Sequence, residues 1–227
     1  MGAIVNAVVI VIAGTLGAKI KSAIPERMNK RLMEAIGLSI AVMGIAGAIE
    51  GQNTLLMILS LVIGTLIGEG LDLDGRIISG VNKIEARFAS KAKFEGGSLA
   101  QGFISATMIF CVGSMIIIGS LESGLTGDNS TLYIKSLLDG ITGFLLASSL
   151  GAGVALSAIP VLVIEGGLTL LATFLAPFLA DAVVTEIISV GSVLLIGLGL
   201  NMAGLSEFKI MNFAPAIILP PILMFFF

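Results

Sequence analysis

The sequence predicts an all-α bundle of transmembrane helices, and three observations support this fold class. First, 56% of the 227 residues are hydrophobic and only 12% are charged, whereas soluble domains average about 25% charged residues. Second, the chain contains about eight apolar runs, each near the ~20 residues that a helix needs to cross the hydrocarbon core. Third, the basic residues fall in alternate loops, as in multi-pass membrane proteins. The 29 glycines fit this class, because small residues let membrane helices approach closely.

The apolar runs follow one another with few polar interruptions. They lie at about 3–21, 32–50, 53–71, 100–121, 131–150, 152–176, 182–204 and 208–227. Only Gly151-Ala152-Gly153 separates the fifth run from the sixth, which is the spacing of a tight hairpin. A helix break at Gly166 would instead make one of these two runs re-entrant and leave seven full spans. In both arrangements residues 1–227 form one transmembrane domain.

Lysine and arginine predict the orientation of the spans. All of them except Lys135 lie in three loops or at the ends of the runs that border these loops. The loops follow the first, third and seventh runs. With eight spans these loops share one face of the membrane, and the opposite loops carry acids such as Glu50 and Asp181. Because basic loops stay in the cytoplasm, both termini are expected outside. The first run has no basic segment before it, so we expect a retained helix.

The long loop at 72–98 contains a helical pattern of its own. Within 75–93, apolar residues recur at helical spacing and basic residues occupy the rest of the wheel. The apolar set is Ile77, Val81, Ile84 and Phe88, and the basic set is Arg76, Lys83, Arg87 and Lys91. This pattern predicts an amphipathic cytoplasmic helix with its basic side toward the lipid headgroups. The helix is either a lipid sensor or moving coupling element, or a passive elbow between two spans.

A glycine, a proline and a glutamate recur with the same spacing near both ends of the chain. They are Gly14, Pro25 and Glu34 in the first set and Gly166, Pro177 and Glu186 in the second. The offset covers an odd number of spans, so halves 1–71 and 152–227 would be inverted relative to each other. Inverted repeats occur in many secondary transporters, with the substrate site at broken helices near the midplane. The alternative is chance similarity between apolar helices.

Glu165 lies inside the apolar run VLVIEGGLTLL and is followed by Gly166 and Gly167. An ionisable side chain at this depth costs roughly 2.5–3.5 kcal/mol on insertion scales, so it should face the protein interior or a wet cavity. The two glycines, with Pro160 upstream, predict a helix break that lines such a cavity. Glu165 is then a proton- or cation-responsive carboxylate. The structural alternative is a protonated glutamate hydrogen-bonded to a neighbouring helix.

Further polar side chains lie in three of the predicted spans. In TLYIKSLLDGITGF, Lys135 and Asp139 are four residues apart on one helical face and can pair. The pair is either a binding site for a zwitterionic or anionic solute, or a structural clamp. Lys135 also lies near the end of the span, so its ammonium group could instead extend to the membrane surface. Asn6 and Asn201 are candidates for neutral hydrogen bonds between helices.

The remaining polar features point to structural roles. Glu34 and Glu186 lie near the predicted starts of helices, where an acid interacts favourably with the helix dipole. The segment GSMIIIGSLESGLTGD, 113–128, either lets backbones approach closely or lines a narrow path, and it lacks the Gly-Lys-Ser/Thr ending of a phosphate loop.

The sequence contains no pattern typical of an enzyme. It has no histidine, which excludes histidine metal ligands and general bases. No nucleophile–base pair, zinc ligand set or dinucleotide fingerprint occurs in it. We therefore expect no catalytic residue, no metal, no cofactor and no nucleic-acid partner.

Three stretches resemble a known family: MGAIVNAVVIVIAGTLGAKI, FCVGSMIIIGSLESGLTGD and TLYIKSLLDGITGFLLASSLGAGV. They are similar to the YqgA-type bacterial inner-membrane proteins, which are classed as a domain of unknown function. The resemblance covers essentially the whole chain. It implies a multi-pass protein of the bacterial inner membrane and, in one branch, a link to biofilm formation. It brings no substrate and no catalytic residue.

The sequence supports two functional hypotheses. The first is a small secondary transporter or channel-like permease for a small polar solute or ion. Its site would comprise Glu165, Asp139, Lys135 and Asn6, shaped by the Gly166-Gly167 break. The second is a non-transporting membrane protein that influences envelope state, signalling or biofilm formation, and in which the helix at 75–93 matters more. The expected partners are the lipid bilayer and, for the first, the solute. Small residues at 147–157 allow a homo-oligomer or packing within one subunit.

Overall fold

The computed structural model of the chain describes residues 1–21, 23, 25–88 and 99–224, and every regular element among them is helical. The predicted all-α class is confirmed. The helices are α1 (Gly2–Lys21), α2 (Glu26–Ile49), α3 (Thr54–Gly70), α4 (Leu73–Phe88), α5 (Leu99–Cys111), α6 (Ser114–Leu125), α7 (Ser130–Leu150), α8 (Gly153–Leu156), α9 (Ala158–Leu170), α10 (Ala172–Leu175), α11 (Asp181–Met202), α12 (Ile210–Phe213) and α13 (Pro220–Leu223). Two short 3₁₀ segments, Ala176–Phe178 and Ala214–Ile218, connect some of them.

The contacts divide the helices into two compact units. Unit 1 comprises Met1–Lys30, Ile78–Cys111 and Met115–Phe174. Unit 2 comprises Arg31–Ile77, Val112–Ser114 and Leu175–Phe227. Each unit therefore combines segments from both halves of the sequence.

In unit 1, α1 and α7 run parallel and in close contact along their lengths. Gly2 at the start of α1 lies against Leu132 near the start of α7, and Gly17 near its end lies against Phe144 and Ala147. A methyl group on Gly17 would overlap the Phe144 carbonyl oxygen. Small residues are what allow two backbones to come this close in a membrane protein.

The start of α1 is tied to the loop that precedes α7. The backbone N–H of Gly2 donates to the Asn129 side chain across 2.8 Å. In the same loop, the hydroxyl and backbone N–H of Ser130 donate to Asp128. These two hydrogen bonds hold the pKa of Asp128 below its ordinary value. The loop thus aligns the first turns of α1 and α7.

Helices α8 and α9 run antiparallel to α1. Gly14, late in α1, lies so close to α8 that an added Cβ would be 2.8 Å from the Ala155 nitrogen. Asn6, early in α1, instead meets Glu165 late in α9. The chain therefore reverses between α7 and α9.

In unit 2, two antiparallel helix pairs make close contacts. A Cβ on Gly37 of α2 would lie 2.6 Å from the Gly199 carbonyl oxygen of α11. In the second pair, Gly68 of α3 packs on the backbone of Asn212. The Asn212 amide also donates to Glu69 across 2.6 Å and accepts from the N–H of Asp74 across 2.8 Å. This buried amide joins the turn after α3 to the start of α12.

The predicted count of eight spans is not confirmed. By length and composition, four helical segments of the described chain can cross a membrane: Gly2–Lys21, Glu26–Ile49, Gly153–Leu170 and Asp181–Met202. The number rises to six if two bent pairs each form one span, α3 with α4 (52°) and α5 with α6 (62°). Helix α7 has 21 residues, but two charged residues lower its hydropathy. The final predicted run is a shorter apolar helix, Ile210–Leu223, which contains Pro215 and Pro220.

The predicted helix break at Gly166 and Gly167 is wrong, because α9 runs through both residues. A glycine costs about 0.5–1 kcal/mol in a helix but keeps its backbone hydrogen bonds, and the Gly167 carbonyl accepts from the N–H of Leu171 across 2.9 Å. Pro160 lies in the first turn of α9, where its missing N–H has no intrahelical partner to lose. The chain turns instead at Gly151, which has a φ of 89° that favours glycine. The hairpin after the fifth run is the arrangement observed.

The helix predicted at 75–93 is present as α4, which begins at Leu73. Val81 is buried, whereas Arg76 and Lys83 are exposed, as an amphipathic helix requires. The side chains of Ile84, Arg87 and Phe88, and the whole of residues 89–98 with Lys91, lie outside the described part of the structure.

The glycine-rich segment 113–128 allows close backbone approach, as one of its two predicted roles required. Gly113, with a φ of 147°, lies at the bend between α5 and α6. Gly124 of α6 packs against the backbone of Thr169. The small residues at 147–157 likewise pack within unit 1, where Gly153 contacts the backbone of Leu99.

The predicted inverted repeat is not confirmed, because its matched residues have different surroundings. Gly14 is in close contact with Ala155, whereas no heavy atom lies within 4 Å of a Cβ built on Gly166. Glu34 is partly exposed and forms an ion pair with Arg31, whereas Glu186 is buried.

Candidate functional site in unit 1

Four polar side chains from three helices of unit 1 meet at one buried point, which we call the polar cluster: Asn6, Lys135, Asp139 and Glu165. The Asn6 amide nitrogen donates to Asp139 across 2.9 Å and to Glu165 across 2.7 Å. Lys135 forms an ion pair with Asp139, and its Nζ lies 3.7 Å from Glu165 Oε1. Because both partners of the amide nitrogen are carboxylate oxygens, the orientation of the Asn6 amide follows from the contacts.

Each helix positions its polar residue by local rules. Lys135 and Asp139 are one turn apart on α7, so they share a face. Ile10 lies one turn after Asn6 in α1, and Val161 lies one turn before Glu165 in α9. Both are fully buried, so Asn6 and Glu165 have apolar surroundings.

The polar cluster is almost completely removed from solvent. Asn6 and Glu165 are 0% exposed, Lys135 is 5% exposed and Asp139 is 8% exposed. Lys135 therefore does not snorkel to the membrane surface, and the alternative of a paired lysine is the one observed. With all three charged groups ionised, the cluster holds one positive and two negative charges, so its net charge is negative.

Two oxygen atoms of the polar cluster have no hydrogen-bond partner in the described part of the chain. They are Asn6 Oδ1 and Glu165 Oε2, both buried. Buried polar groups are nearly always hydrogen-bonded, and an unpaired one calls for an explanation. Both open positions are acceptors, so a group that donates a hydrogen bond or carries positive charge would complete the cluster.

The sequence predicted six site residues, and the structure brings four of them together, namely the members of the polar cluster. Gly166 and Gly167 do not contribute, since their added Cβ atoms would meet nothing within 4 Å. Cys111, partly buried at the end of α5, lies within electrostatic range of Lys135, Asp139 and Glu165. Nothing in the sequence signalled this proximity. Across the described residues, no three His, Cys, Asp or Glu side chains lie together as a metal site requires.

The other candidates have structural partners in unit 2. Asn201 accepts from the N–H of Phe208 across 2.8 Å and donates to its carbonyl across 2.7 Å, so it closes a loop. Glu186 lies in the second turn of α11, and its carboxylate accepts from the backbone N–H groups of Gln52 and Asn53. It therefore caps the start of the neighbouring α3 instead of its own helix.

Comparison with known proteins places the chain in a family. A family described as "Protein of unknown function (DUF554)" matches residues 1–225. The chain belongs to the DUF554 family. The resemblance to the YqgA-type proteins is thereby confirmed. No solved structure matches the DUF554 chain.

Two relatives match nearly the whole DUF554 chain. The uncharacterized membrane protein YdfK of Bacillus subtilis (strain 168) is 32% identical over 228 residues, which cover 99% of this chain and 95% of YdfK. The uncharacterized protein YqgA of Escherichia coli (strain K12) is 31% identical over 220 residues, which cover 96% of this chain and 94% of YqgA. YdfK is named as a membrane protein, which agrees with the long apolar helices of this chain.

Proposed function

We propose that this DUF554 protein is a small secondary transporter or channel-like permease, and that the polar cluster is its site. The observation that carries the proposal is the convergence of three ionisable side chains and one amide from α1, α7 and α9. Ionisable residues inside a membrane are costly and most often mark solute paths or proton relays. A purely structural contact between three helices is achieved by neutral residues at lower cost.

The charge of the polar cluster favours a cation or a proton as the species bound. The single positive charge of Lys135 is already shared between Asp139 and Glu165. Glu165 Oε2 and Asn6 Oδ1 are open acceptors, and an anion would add a further negative charge beside them. A proton on Glu165, or a small cation at the same place, would neutralise the cluster and use the open acceptors.

We propose the topology of a multi-pass inner-membrane protein with eight passes and both termini outside. In that order, the first and fifth spans run in the same direction, as α1 and α7 do within unit 1. The second and seventh spans run in opposite directions, as α2 and α11 do within unit 2. Alternate basic loops support the same orientation.

Substituting the acids of the polar cluster is expected to reduce transport. In proteoliposomes containing a trapped dye for pH or for the monovalent cation, we expect Glu165→Gln and Asp139→Asn to lower proton or monovalent-cation flux by about tenfold or more. This factor corresponds to the loss of one charge-assisted hydrogen bond. Glu50→Gln, an exposed acid outside the cluster, serves as the control and should keep the wild-type rate. Unchanged flux in both cluster variants would remove the assigned roles, and absence of flux in the wild type would exclude these cations.

A second candidate function is that of a non-transporting protein that acts on envelope state, signalling or biofilm formation. It is favoured by α4, which buries Val81 and exposes Arg76 and Lys83. Such a basic surface suits anionic lipid headgroups at roughly 1 kcal/mol per basic residue.

The two functions are separated by a complementation experiment. If the second is correct, replacing Arg76 and Lys83 by glutamine, together with Arg87 and Lys91, should abolish rescue of biofilm formation in a strain lacking the protein. Glu165→Gln should then rescue fully, because the polar cluster has no part in that function. The reverse pattern would favour transport.

A further inference from the structure

We propose that unit 2 contains a second binding site, which takes a small organic cation of the alkylammonium class with Glu186 as its counter-ion. This site is separate from the polar cluster and does not depend on the transport proposal. It is carried by the carboxylate of Glu186 and by the cavity that this residue lines.

Glu186 is a buried acid, and only one of its two carboxylate oxygens has hydrogen-bond partners in the described part of the chain. One oxygen, Oε1, accepts from the backbone N–H groups of Gln52 and Asn53 across 2.7 and 3.0 Å. These donors anchor the carboxylate at the start of α3, where the helix dipole also favours negative charge. The second oxygen, Oε2, has no hydrogen-bond partner among the described residues, although the side chain is only 3% exposed. A buried acceptor left open in this way points to a missing donor.

The cavity beside Glu186 is acidic and has no basic residue among those that line it. Its volume is about 440 Å³. Asp181, which is exposed, contributes a second carboxylate, and Gln52 and Thr185 contribute neutral polar groups. Two carboxylates with no lysine or arginine among the lining residues favour a positively charged ligand.

The shape and lining of the cavity favour an organic cation over a bare metal ion. Calcium takes six to eight oxygen ligands at close range, and the described residues offer no cluster of three metal-ligating side chains. Leu56 and Met224 form an apolar part of the wall. An ammonium group in this cavity would pair with the Glu186 carboxylate that lines it, while a short alkyl chain lies against the apolar wall.

Binding of n-butylammonium chloride to the full-length protein in detergent tests this site. Isothermal titration calorimetry at low ionic strength should detect binding, and Glu186→Gln should weaken it by about 30-fold or more, since a buried charge loses its partner. Asp181→Asn, at an exposed position, should weaken binding by about two- to fivefold. Glu207→Gln removes the same charge from an exposed residue of unit 2 that does not line the cavity and should change nothing.

The neutral analogue n-butanol should not compete, because it lacks the positive charge. Three results would each overturn the proposal. They are equal affinity of Glu186→Gln and the wild type for n-butylammonium, displacement of n-butylammonium by n-butanol at equal concentration, and no binding of n-butylammonium to the wild type. If Glu186→Gln does not fold, Asp181→Asn decides, and unchanged affinity in that variant would overturn it.

Discussion

Replacing Lys135 by methionine is expected to lower the free energy of unfolding by about 3–5 kcal/mol, the cost of leaving buried charge without its partner. Lys135 is the one cation in contact with Asp139 and Glu165 within the polar cluster. Methionine is unbranched, only one heavy atom shorter than lysine, and suits an apolar interior, so the loss reports mainly the charge and not a cavity. Unfolding by sodium dodecyl sulfate in mixed micelles, followed by far-ultraviolet circular dichroism, measures the change.

Lys209→Met provides the matched control for this substitution. Lys209 also faces an acid, Glu69, but the two atoms are 3.9 Å apart and both side chains are more than half exposed. An exposed pair contributes about 0–1 kcal/mol, so this variant should unfold almost as the wild type does. If Lys135→Met were no more destabilised than Lys209→Met, the polar cluster would not be a coupled group of charges.

A double substitution separates coupling from simple loss of a side chain. In Lys135→Met with Asp139→Asn, one positive and one negative charge are removed together. Part of the stability should return, giving a coupling energy of about 0.5–3 kcal/mol in a double-mutant cycle. Strictly additive effects would contradict direct pairing of the two residues.

Replacing Gly37 by alanine is expected to lower the free energy of unfolding by about 1–3 kcal/mol, the usual cost of overpacking. The new methyl group would lie 2.6 Å from the Gly199 carbonyl oxygen and 2.7 Å from the Ala203 nitrogen. Both are backbone atoms, so no side chain can rotate away and α2 and α11 must separate. The same unfolding assay in mixed micelles measures the effect.

Gly166→Ala and Gly167→Ala are the matched controls, with an effect of opposite sign expected. Each glycine lies inside α9 with open space beside it, so alanine should stabilise the protein by about 0.5–1 kcal/mol through its better helix propensity. Destabilisation by both substitutions would mean that these two positions need glycine, as the predicted helix break required.

The polar residues illustrate how far sequence reasoning reaches in this protein. The pairing of Lys135 with Asp139 was predictable, because four-residue spacing places them on one face of any helix. The cost of an acid in lipid made it predictable that Glu165 faces the interior. Its contact with Asn6, 159 residues away along the chain, was not predictable, because spacing within a helix carries no information about the neighbouring helix.

The glycines show what sequence reasoning could not predict in this protein. Gly166-Gly167 appears in sequence as the weakest point of its helix, yet α9 continues through it. Gly37 gives no signal beyond its residue type, yet its contact with Gly199 brings α2 and α11 together. Propensity assigns both kinds of glycine the same cost, and only the presence or absence of a neighbouring backbone distinguishes them.

The sequence by itself determined the helical class, the apolar character of the spans and the polar residues that those spans bury. These properties depend on the transfer of each segment into lipid and on spacing within one helix, both of which are local. The tertiary structure decided which helices are neighbours, that four polar residues form one cluster, and that Glu186 caps the start of α3. In lipid there is little hydrophobic force to select partners, so neighbours are chosen by close contact between small residues and by hydrogen bonds spread over the whole chain.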